Sequence, residues 1–214
     1  MDPYKETFAT WDKIAALYKE KFMDLDLYND TYDHFCAQLP MQHPVILELG
    51  CGPGNITRYL LAARPDFRIV ATDISQNMIT LAREAVPNAN FRVLDSRDIH
   101  LLPAGFHGII AGFCLPYLSA ADCKKLVQDS YRLLYGEGIF YGSFVEGSPE
   151  RSGFISGSSG DRTYFYYHTI GMMLDTLTAN HFTILEVIRK PYRRGEEEEV
   201  HTVVIAKKAN KPGR

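Results

Sequence analysis

Residues 45–57 read Val-Ile-Leu-Glu-Leu-Gly-Cys-Gly-Pro-Gly-Asn-Ile-Thr, and this stretch decides the fold of the chain. Its apolar beginning, rich in leucine and β-branched residues, predicts a buried strand of an α/β sheet. Three glycines follow at alternate positions, and Asn55 is predicted to cap a helix over residues 56–63. Such a turn lets a ligand lie against the backbone, and the first amides of the helix offer hydrogen-bond donors. The stretch therefore predicts a site for a nucleotide-like ligand.

The spacing of the glycines narrows the class of ligand. A dinucleotide-binding turn has the pattern Gly-x-Gly-x-x-Gly, in which the last glycine packs the helix against the strand. Here Asn55 stands where that last glycine belongs. Residues 48–54, Glu-Leu-Gly-Cys-Gly-Pro-Gly, instead resemble motif I of the class I S-adenosylmethionine-dependent methyltransferases. The resemblance implies S-adenosylmethionine as the cofactor, S-adenosylhomocysteine as its product, and cofactor contacts from Glu48, Gly50, Cys51, Gly52 and Gly54.

Two further strand ends carry acidic residues at the spacing of a nucleoside site. The strand predicted over residues 68–72 ends at Asp73, whose carboxylate can accept hydrogen bonds from both ribose hydroxyls. The strand predicted over residues 90–94 ends at Asp95, and in the family that the sequence resembles an aspartate there holds the adenine amino group. The same resemblance adds to the cofactor site the residues Ile74, Met78, Asp95, Ser96 and Phe113.

The composition fits one enzyme domain and argues against several other classes. The chain has 214 residues, a net charge of −3 and an isoelectric point of about 6.2. Nucleic acid is not an expected partner, because nucleic-acid-binding proteins usually carry a basic stripe and a high isoelectric point. The four cysteines stand singly, so we expect neither disulfides nor a metal site. The chain begins without a basic and apolar signal segment, which predicts a cytoplasmic protein.

A stretch without Asp, Glu, Lys or Arg runs from residue 99 to residue 121. Prolines, glycines and histidines interrupt it, so we interpret it as a loop, a short buried strand and another loop. No membrane segment is predicted.

The first part of the chain, residues 1–43, is predicted to be a helical cover over the cofactor. Apolar residues recur at spacings of three and four, which predicts two helices. Residues 11–18, Trp-Asp-Lys-Ile-Ala-Ala-Leu-Tyr, resemble the N-terminal segment of the ubiquinone and menaquinone biosynthesis type of small-molecule methyltransferases. In that type the tyrosine, here Tyr18, lies near the methionine end of the cofactor. Ordinary packing of an amphipathic helix is the preferred interpretation of Trp11 and an equal alternative for Tyr18.

The rest of the chain completes a Rossmann-like class I methyltransferase fold of α/β type. We expect one domain over residues 1–214, with a seven-stranded, mostly parallel sheet, an antiparallel last strand and helices on both faces. Further strands are predicted over residues 108–112, 138–146, 181–188 and 198–208, and helices over residues 119–135 and 169–180. Glycines at 136 and 138 are predicted to end the first of these helices, residues 193–197 to form a charged turn, and residues 210–214 a loose tail.

Residues 147–168 are predicted to form a mobile flap over the acceptor site. The segment is rich in Gly, Ser and Pro, too long for a simple connection and too polar for the core. It runs into four consecutive aromatic residues, 164–167. Alternate side chains of a strand face opposite ways, so one set of these aromatics must line a pocket, lie at a surface or meet a partner. We expect a substrate pocket with Tyr117, Tyr164, Tyr166, Tyr167 and His168.

Methyl transfer asks the protein mainly to align the two reactants and exclude water. A general base is needed only for an acceptor that holds its proton at neutral pH, such as a phenol. His168 is the first candidate, because it ends the aromatic run at the mouth where substrates enter this fold. A neighbour of a helix N-cap or a surface histidine is an alternative of at least equal weight. Tyr18 and Tyr117 are candidates for orienting or deprotonating an oxygen acceptor.

The predicted function is methyl transfer to a small aromatic or apolar acceptor such as a phenol or a quinol. An RNA or protein methyltransferase is the enzymatic alternative, and the acidic isoelectric point counts against it. A cofactor-binding module without catalysis is the alternative from another class. A dinucleotide oxidoreductase ranks third, because the last glycine of its pattern is missing. Whether the protein forms a homodimer is left open.

Overall fold

The computed structural model describes residues 2–157, 160–194 and 197–209. In chain order its strands are β1 (Val45–Leu49), β2 (Arg68–Asp73), β3 (Asn90–Val93), β4 (Phe106–Ala111), β5 (Leu134–Val145), β6 (Gly153–Ser156), β7 (Arg162–Phe165), β8 (Phe182–Arg194) and β9 (Glu197–Lys208). Its α-helices are α1 (Pro3–Lys13), α2 (Ala15–Phe22), α3 (Asn29–Ala37), α4 (Asn55–Ala63), α5 (Gln76–Ala85), α6 (Ala120–Leu133) and α7 (Ile170–Ala179).

The large sheet has seven strands in the order β3-β2-β1-β4-β5-β9-β8. Strands β1 to β5 pair in parallel, and β9 is antiparallel to both of its neighbours, β5 and β8. The predicted fold, a mostly parallel sheet with a reversed last strand, is confirmed. Because β9 runs antiparallel to β5, it begins at the edge of the sheet where the parallel strands end.

The central strands β1 and β4 are mostly apolar because helices cover both faces of the sheet. Ile46 and Ile110 pack into a core cluster with residues of α3, α4 and α5. Their neighbours Leu47 and Ile109 pack into a second cluster with residues of α6 and α7. This alternation places the two halves of the core on opposite faces of one sheet.

Several predicted boundaries differ from the structure. Three helices rather than two precede β1. Helix α4 begins at Asn55, and its N-cap is Gly54 with φ +90°, so the predicted capping by Asn55 is wrong. Helix α6 ends at Leu133, and Leu134 already pairs with Phe106 of β4. Strand pairing, rather than the glycines at 136 and 138, therefore ends that helix.

The segment predicted as a flap contains a hairpin of β6 and β7. The hairpin is bound to α1, because Thr10 Oγ1 donates to the Arg162 carbonyl at 2.7 Å and the Tyr164 amide donates to Thr7 Oγ1 at 2.9 Å. Residues 158 and 159 of the segment lie outside the described residues, as do residues 195 and 196 of the charged turn and the tail 210–214. The mobility of the flap stays a prediction.

None of the helices within the described ranges is long and apolar enough to span a bilayer.

Candidate active site

A cavity of about 100 Å³ lies over the glycine turn, where the parallel strands β1, β2 and β4 end. Ligands of open α/β sheets bind at this edge. Of the eleven residues predicted to hold the cofactor, eight line the cavity: Gly50, Gly52, Asp73, Ile74, Met78, Asp95, Ser96 and Phe113. The structure thus brings together the glycine turn and both acidic strand ends.

The first and third glycines of the turn have different tasks. A Cβ atom on Gly50 would lie 2.6 Å from the Cβ of Cys114, and Gly50 has φ +65°. A Cβ atom on Gly54 would meet the Cβ of Ala82 on α5 at 3.3 Å. Gly54 is not among the residues that line the cavity, and its cofactor contact stays a prediction. In the structure it permits close packing of α4 on α5.

Asp73 connects the glycine turn to the loop that follows β2. Its Oδ2 accepts from the Gly52 amide and its Oδ1 from the Ser75 amide, both at 2.9 Å. Burial raises the pKa of Asp73 above its ordinary value, and these amides act in the opposite direction. Each carboxylate oxygen has two lone pairs, so each retains one for a ribose hydroxyl.

Asp95 also lines the cavity, but its carboxylate already has a partner. The Arg97 guanidinium lies 2.9 Å (Nε) and 2.6 Å (Nη2) from Oδ2, and the Arg97 amide donates to Oδ1 at 2.8 Å. Arg97 in turn lies 4.1 Å from the ring centre of Tyr4 on α1. A contact between Asp95 and an adenine amino group would therefore share the carboxylate with Arg97.

Glu48 and Cys51 lie behind the turn rather than in the cavity wall. Both are almost completely buried. Glu48 Oε2 accepts from Thr57 Oγ1 at 2.6 Å, whereas Oε1 is buried and has no hydrogen-bond partner among the described residues. Burial raises the pKa of Glu48 to about 8, and the Thr57 hydrogen bond opposes that shift. The direct cofactor contacts predicted for these two residues are not seen in the cavity lining.

Glu48 predicts a pH dependence of the ligand-free protein. Its pKa is raised from 4.5 to about 8 on folding, so its contribution to stability is complete below 4.5 and is lost as pH rises through about 8. The Glu48→Gln variant cannot ionise, so it should gain stability relative to the parent protein over this interval, on the order of 5 kcal/mol. Urea unfolding of both proteins at several pH values measures the difference. A parallel pH dependence in the two proteins would contradict the buried, protonated state of Glu48.

Helices α1 and α2 lie over the cavity. Asp12 fixes the end of α1 to the start of α5, since its Oδ1 accepts from Ser75 Oγ at 2.6 Å and from the Asn77 amide at 3.0 Å. Trp11 and Tyr18 line the cavity. The ring of Trp11 also packs edge-on against the rings of Tyr18 and Tyr117, so the packing preferred for Trp11 and a place in the cavity wall occur together. The Trp11 Nε1 atom is buried and has no hydrogen-bond partner among the described residues.

A second cavity, of about 290 Å³, adjoins the first. Four aromatic residues line both cavities, and we call them the shared wall: Trp11, Tyr18, Phe113 and Tyr117. Phe113 has φ +55°, an uncommon conformation for a bulky residue, and its amide donates to Ser143 Oγ at 2.7 Å. The protein thus holds a strained aromatic residue between the two cavities.

The aromatic run after the hairpin contributes a different set of side chains than predicted. Thr163 and Phe165 line the second cavity. Tyr164 and Tyr166 lie on the opposite face, where their rings are 4.6 Å apart and Tyr166 lies 6.3 Å from Tyr4. Their assignment to the substrate pocket is therefore wrong. The alternation was predictable, but which set faces the pocket depends on how the hairpin pairs with α1.

Tyr117 lines the second cavity, and Tyr167 contacts a residue that lines it. Tyr117 belongs to the shared wall, as predicted for a pocket residue. Tyr167 is buried, and its hydroxyl donates at 3.1 Å to Oε1 of Glu199, which lines the cavity.

The structure contradicts the prediction of His168 as a general base. His168 is 1% exposed, and its Nε2 lies 3.0 Å from the Leu115 carbonyl and 3.6 Å from Cys123 Sγ. It lines neither cavity. Burial lowers its pKa, so the ring is neutral and Nε2 donates to the carbonyl. His168 is a core residue between β5 and α6.

Four polar residues of the second cavity were missed by sequence reasoning: Tyr28, Tyr192, Glu199 and His201. The sequence placed Glu199 and His201 in a predicted strand without assigning either to a site, yet they are only 6% and 7% exposed. Their spacing of two puts both side chains on one face of β9. A pair of ionisable residues with this spacing at the start of an apolar strand is the signal that could have found them.

Within the described ranges, no group of three or more His, Cys, Asp and Glu side chains has the arrangement of a metal site.

The central part of the chain is similar to known proteins. Residues 46–138 match the family described as "Methyltransferase domain". A trans-aconitate 2-methyltransferase of Rhodopseudomonas palustris is 41% identical over 68 residues, or 31% of this chain and 26% of the relative. One of Mycolicibacterium gilvum is 48% identical over 76 residues, or 36% and 28%. The chain spans less than half the length of the curated relatives that it matches.

Solved structures share the fold over nearly the whole chain. Magnesium protoporphyrin IX methyltransferase of Synechocystis, with bound SAM, is 14% identical with a TM-score of 0.72 and 98% of both chains covered. A Burkholderia thailandensis enzyme, 1,6-didemethyltoxoflavin-N1-methyltransferase with bound S-adenosylhomocysteine, is 19% identical with a TM-score of 0.71. The match covers 98% of this chain and 92% of that one. At these identities the likeness establishes the fold, which is that of the S-adenosylmethionine-dependent methyltransferases.

Proposed function

We propose that this protein transfers the methyl group of S-adenosylmethionine to a small aromatic or apolar acceptor, such as a phenol or a quinol. One observation carries the proposal. The cavity over the glycine turn and the larger cavity beside it share an aromatic wall, so that two bound ligands would meet there. Methyl transfer needs this arrangement, because the acceptor atom must reach the methyl carbon in line with the sulfur.

The residues that line the smaller cavity suit the cofactor. Asp73 offers two carboxylate oxygens to ribose hydroxyls, Ile74 and Met78 offer apolar surface to the adenine, and the glycine turn admits a ligand close to the backbone. When bound, S-adenosylmethionine supplies a methyl group on a sulfonium sulfur, which is a good leaving group. The residues of this chain align the reactants and exclude water.

The larger cavity suits a small, flat acceptor. Its volume is close to the lower end of the range for small-molecule sites. The shared wall and the rings of Phe22, Tyr28, Phe165 and Tyr192 supply most of its aromatic surface. The methyltransferases with similar folds include enzymes named for magnesium protoporphyrin IX and for 1,6-didemethyltoxoflavin, which supports an acceptor of small-molecule type. These names also show that the fold alone does not choose the acceptor.

Release of S-adenosylhomocysteine from the purified protein and S-adenosylmethionine tests the proposal. One arm contains pooled phenols and quinols, and the other contains bulk RNA. We expect turnover in the first arm. Turnover with RNA alone would overturn the proposed acceptor class. No turnover in either arm, with S-adenosylhomocysteine shown to bind, would favour a cofactor-binding module without this activity.

A further inference from the structure

The acceptor cavity contains a chain of hydrogen-bonding side chains that begins at Tyr28. The Tyr28 hydroxyl lies 2.6 Å from His201 Nδ1. On the other side of the imidazole ring, Nε2 lies 3.5 Å from Glu199 Oε2. A hydroxyl, an imidazole and a carboxylate in this order form the arrangement by which proteins activate oxygen atoms.

Aromatic rings hold the imidazole of His201 in place. Tyr192 of β8 stacks on it, with ring centres 4.5 Å apart and an interplanar angle of 18°. Phe113, which follows β4, lies 5.1 Å away. Glu199 is fixed as well, because the Tyr167 hydroxyl donates to its other oxygen. His201 and Glu199 are therefore preorganised by three other segments of the chain: β8, the segment after β4 and the segment after β7.

The chain of side chains lies beside the place where the methyl group would cross. Phe113 belongs to the shared wall, and its ring lies 4.7 Å from the Tyr28 ring as well as near His201. An acceptor oxygen that reaches the shared wall from the larger cavity can therefore approach the Tyr28 hydroxyl. His201 is also the one imidazole among the described residues that line either cavity.

The other candidates for a base are less suitable. His168 lies in the core, away from both cavities. Burial raises the pKa of Tyr18 to about 12, so this hydroxyl stays protonated and can only orient an acceptor. Burial also raises the pKa of Tyr28. Tyr28 can therefore take a proton only if it passes its own to a neighbour, and His201 is that neighbour.

We propose that Tyr28, His201 and Glu199 form the proton-accepting group of the larger cavity, and that the acceptor is a hydroxyl compound that needs deprotonation. This inference rests on the proposed function. As the acceptor oxygen bonds to the methyl carbon, the carbon–sulfur bond breaks and its electron pair stays on sulfur. The acceptor proton moves to the Tyr28 oxygen, and the Tyr28 proton moves to His201 Nδ1. Glu199 stabilises the imidazolium that results.

The proposal implies a loss of turnover at low pH, because a protonated His201 cannot accept. Among the contacts that the described residues make, the titratable groups that face His201 include Tyr28 from the segment before α3, Tyr192 from β8 and Glu199 from its own strand. Lys190 of β8 is opposite His201 in the strand pairing, but its ammonium group pairs with Asp30. Strand β5 contributes Val145, which does not titrate.

The test compares two acceptors in three variants. The acceptors are the phenol methylated fastest in the pooled assay and a nitro-substituted analogue that is already ionised at the assay pH. His201→Gln and Tyr28→Phe should lower turnover of the parent phenol by roughly 10²–10⁴-fold, the usual contribution of general base catalysis. Both variants should methylate the ionised analogue at close to the normal rate and bind S-adenosylhomocysteine normally. His34→Gln, an exposed histidine paired with Glu186, is the control.

The outcomes separate the inference from the proposed function. An equal loss on both phenols would give His201 a merely structural role and overturn the inference, as would normal turnover of the parent phenol by His201→Gln. The acid limb of the turnover–pH profile should be present in the parent protein and absent in His201→Gln. An acid limb retained unchanged in the variant would also overturn the inference. Failure of the parent protein on every phenol would overturn the proposed function itself.

Discussion

Gly50→Ala should bind S-adenosylhomocysteine more than tenfold more weakly than the parent protein. The added methyl group would lie 2.6 Å from Cys114 Cβ, a carbon next to the backbone that cannot turn away. The backbone at Gly50 also has φ +65°, which is strained for alanine. Strain of this kind and overpacking each cost about 1–3 kcal/mol. The turn must shift to relieve them, and the cofactor cavity would change shape with it.

Isothermal titration with S-adenosylhomocysteine measures this loss, and thermal unfolding reports the accompanying loss of stability. Gly171→Ala is the matched control, because the site in α7 has no atom within 4 Å of the added carbon and no strained φ. The control should bind normally and unfold at the same temperature or slightly higher, since alanine is the better helix former. Normal affinity in Gly50→Ala would show that the ligand does not depend on the shape of this turn.

Asp73→Ala should weaken S-adenosylhomocysteine binding by roughly 1–3 kcal/mol, the usual cost of leaving hydrogen-bond partners unpaired in a buried site. This corresponds to a five- to 150-fold change in the dissociation constant. The loss of affinity has two causes. The ribose would lose its acceptors, and the amides of Gly52 and Ser75 would lose theirs, so the turn itself would be less ordered.

Asp73→Asn separates these two causes. The amide can still accept from one backbone N–H, but it offers one acceptor oxygen instead of two, so its affinity should lie between those of the parent protein and Asp73→Ala. Asp175→Ala removes an exposed carboxylate of α7 and controls for the change in net charge. Unchanged affinity in Asp73→Ala would refute the ribose assignment.

The cofactor half of the site was predictable because its signals are local in the sequence. A strand, a turn and a helix start are neighbours in the chain, and Gly50, Gly52 and Asp73 keep their relative positions wherever that unit occurs. Parallel pairing of β1 with β2 then brings Asp73 beside the turn. Gly54 shows what local sequence signals do not predict. Its close approach to Ala82 of α5 depends on how two helices cross.

The acceptor half was less predictable because it is built by long-range pairing. The aromatic run of residues 164–167 indicated two opposite faces, yet only the pairing of β7 with β6 and its contacts with α1 decide that Phe165 faces the cavity. His201 lies far from Tyr28 in the sequence, and the insertion of β9 between β5 and β8 brings them together. His168 was misjudged for the same reason, because its burial depends on Leu115 and Cys123.

The shared wall has a consequence for the thermodynamics of binding. Trp11, Tyr18, Phe113 and Tyr117 belong to both cavities, so any ordering of these rings by one ligand is already complete when the second ligand arrives. The two sites are then linked, and linkage is reciprocal. The factor by which the cofactor product tightens the binding of the acceptor must equal the factor by which the acceptor tightens the binding of the cofactor product.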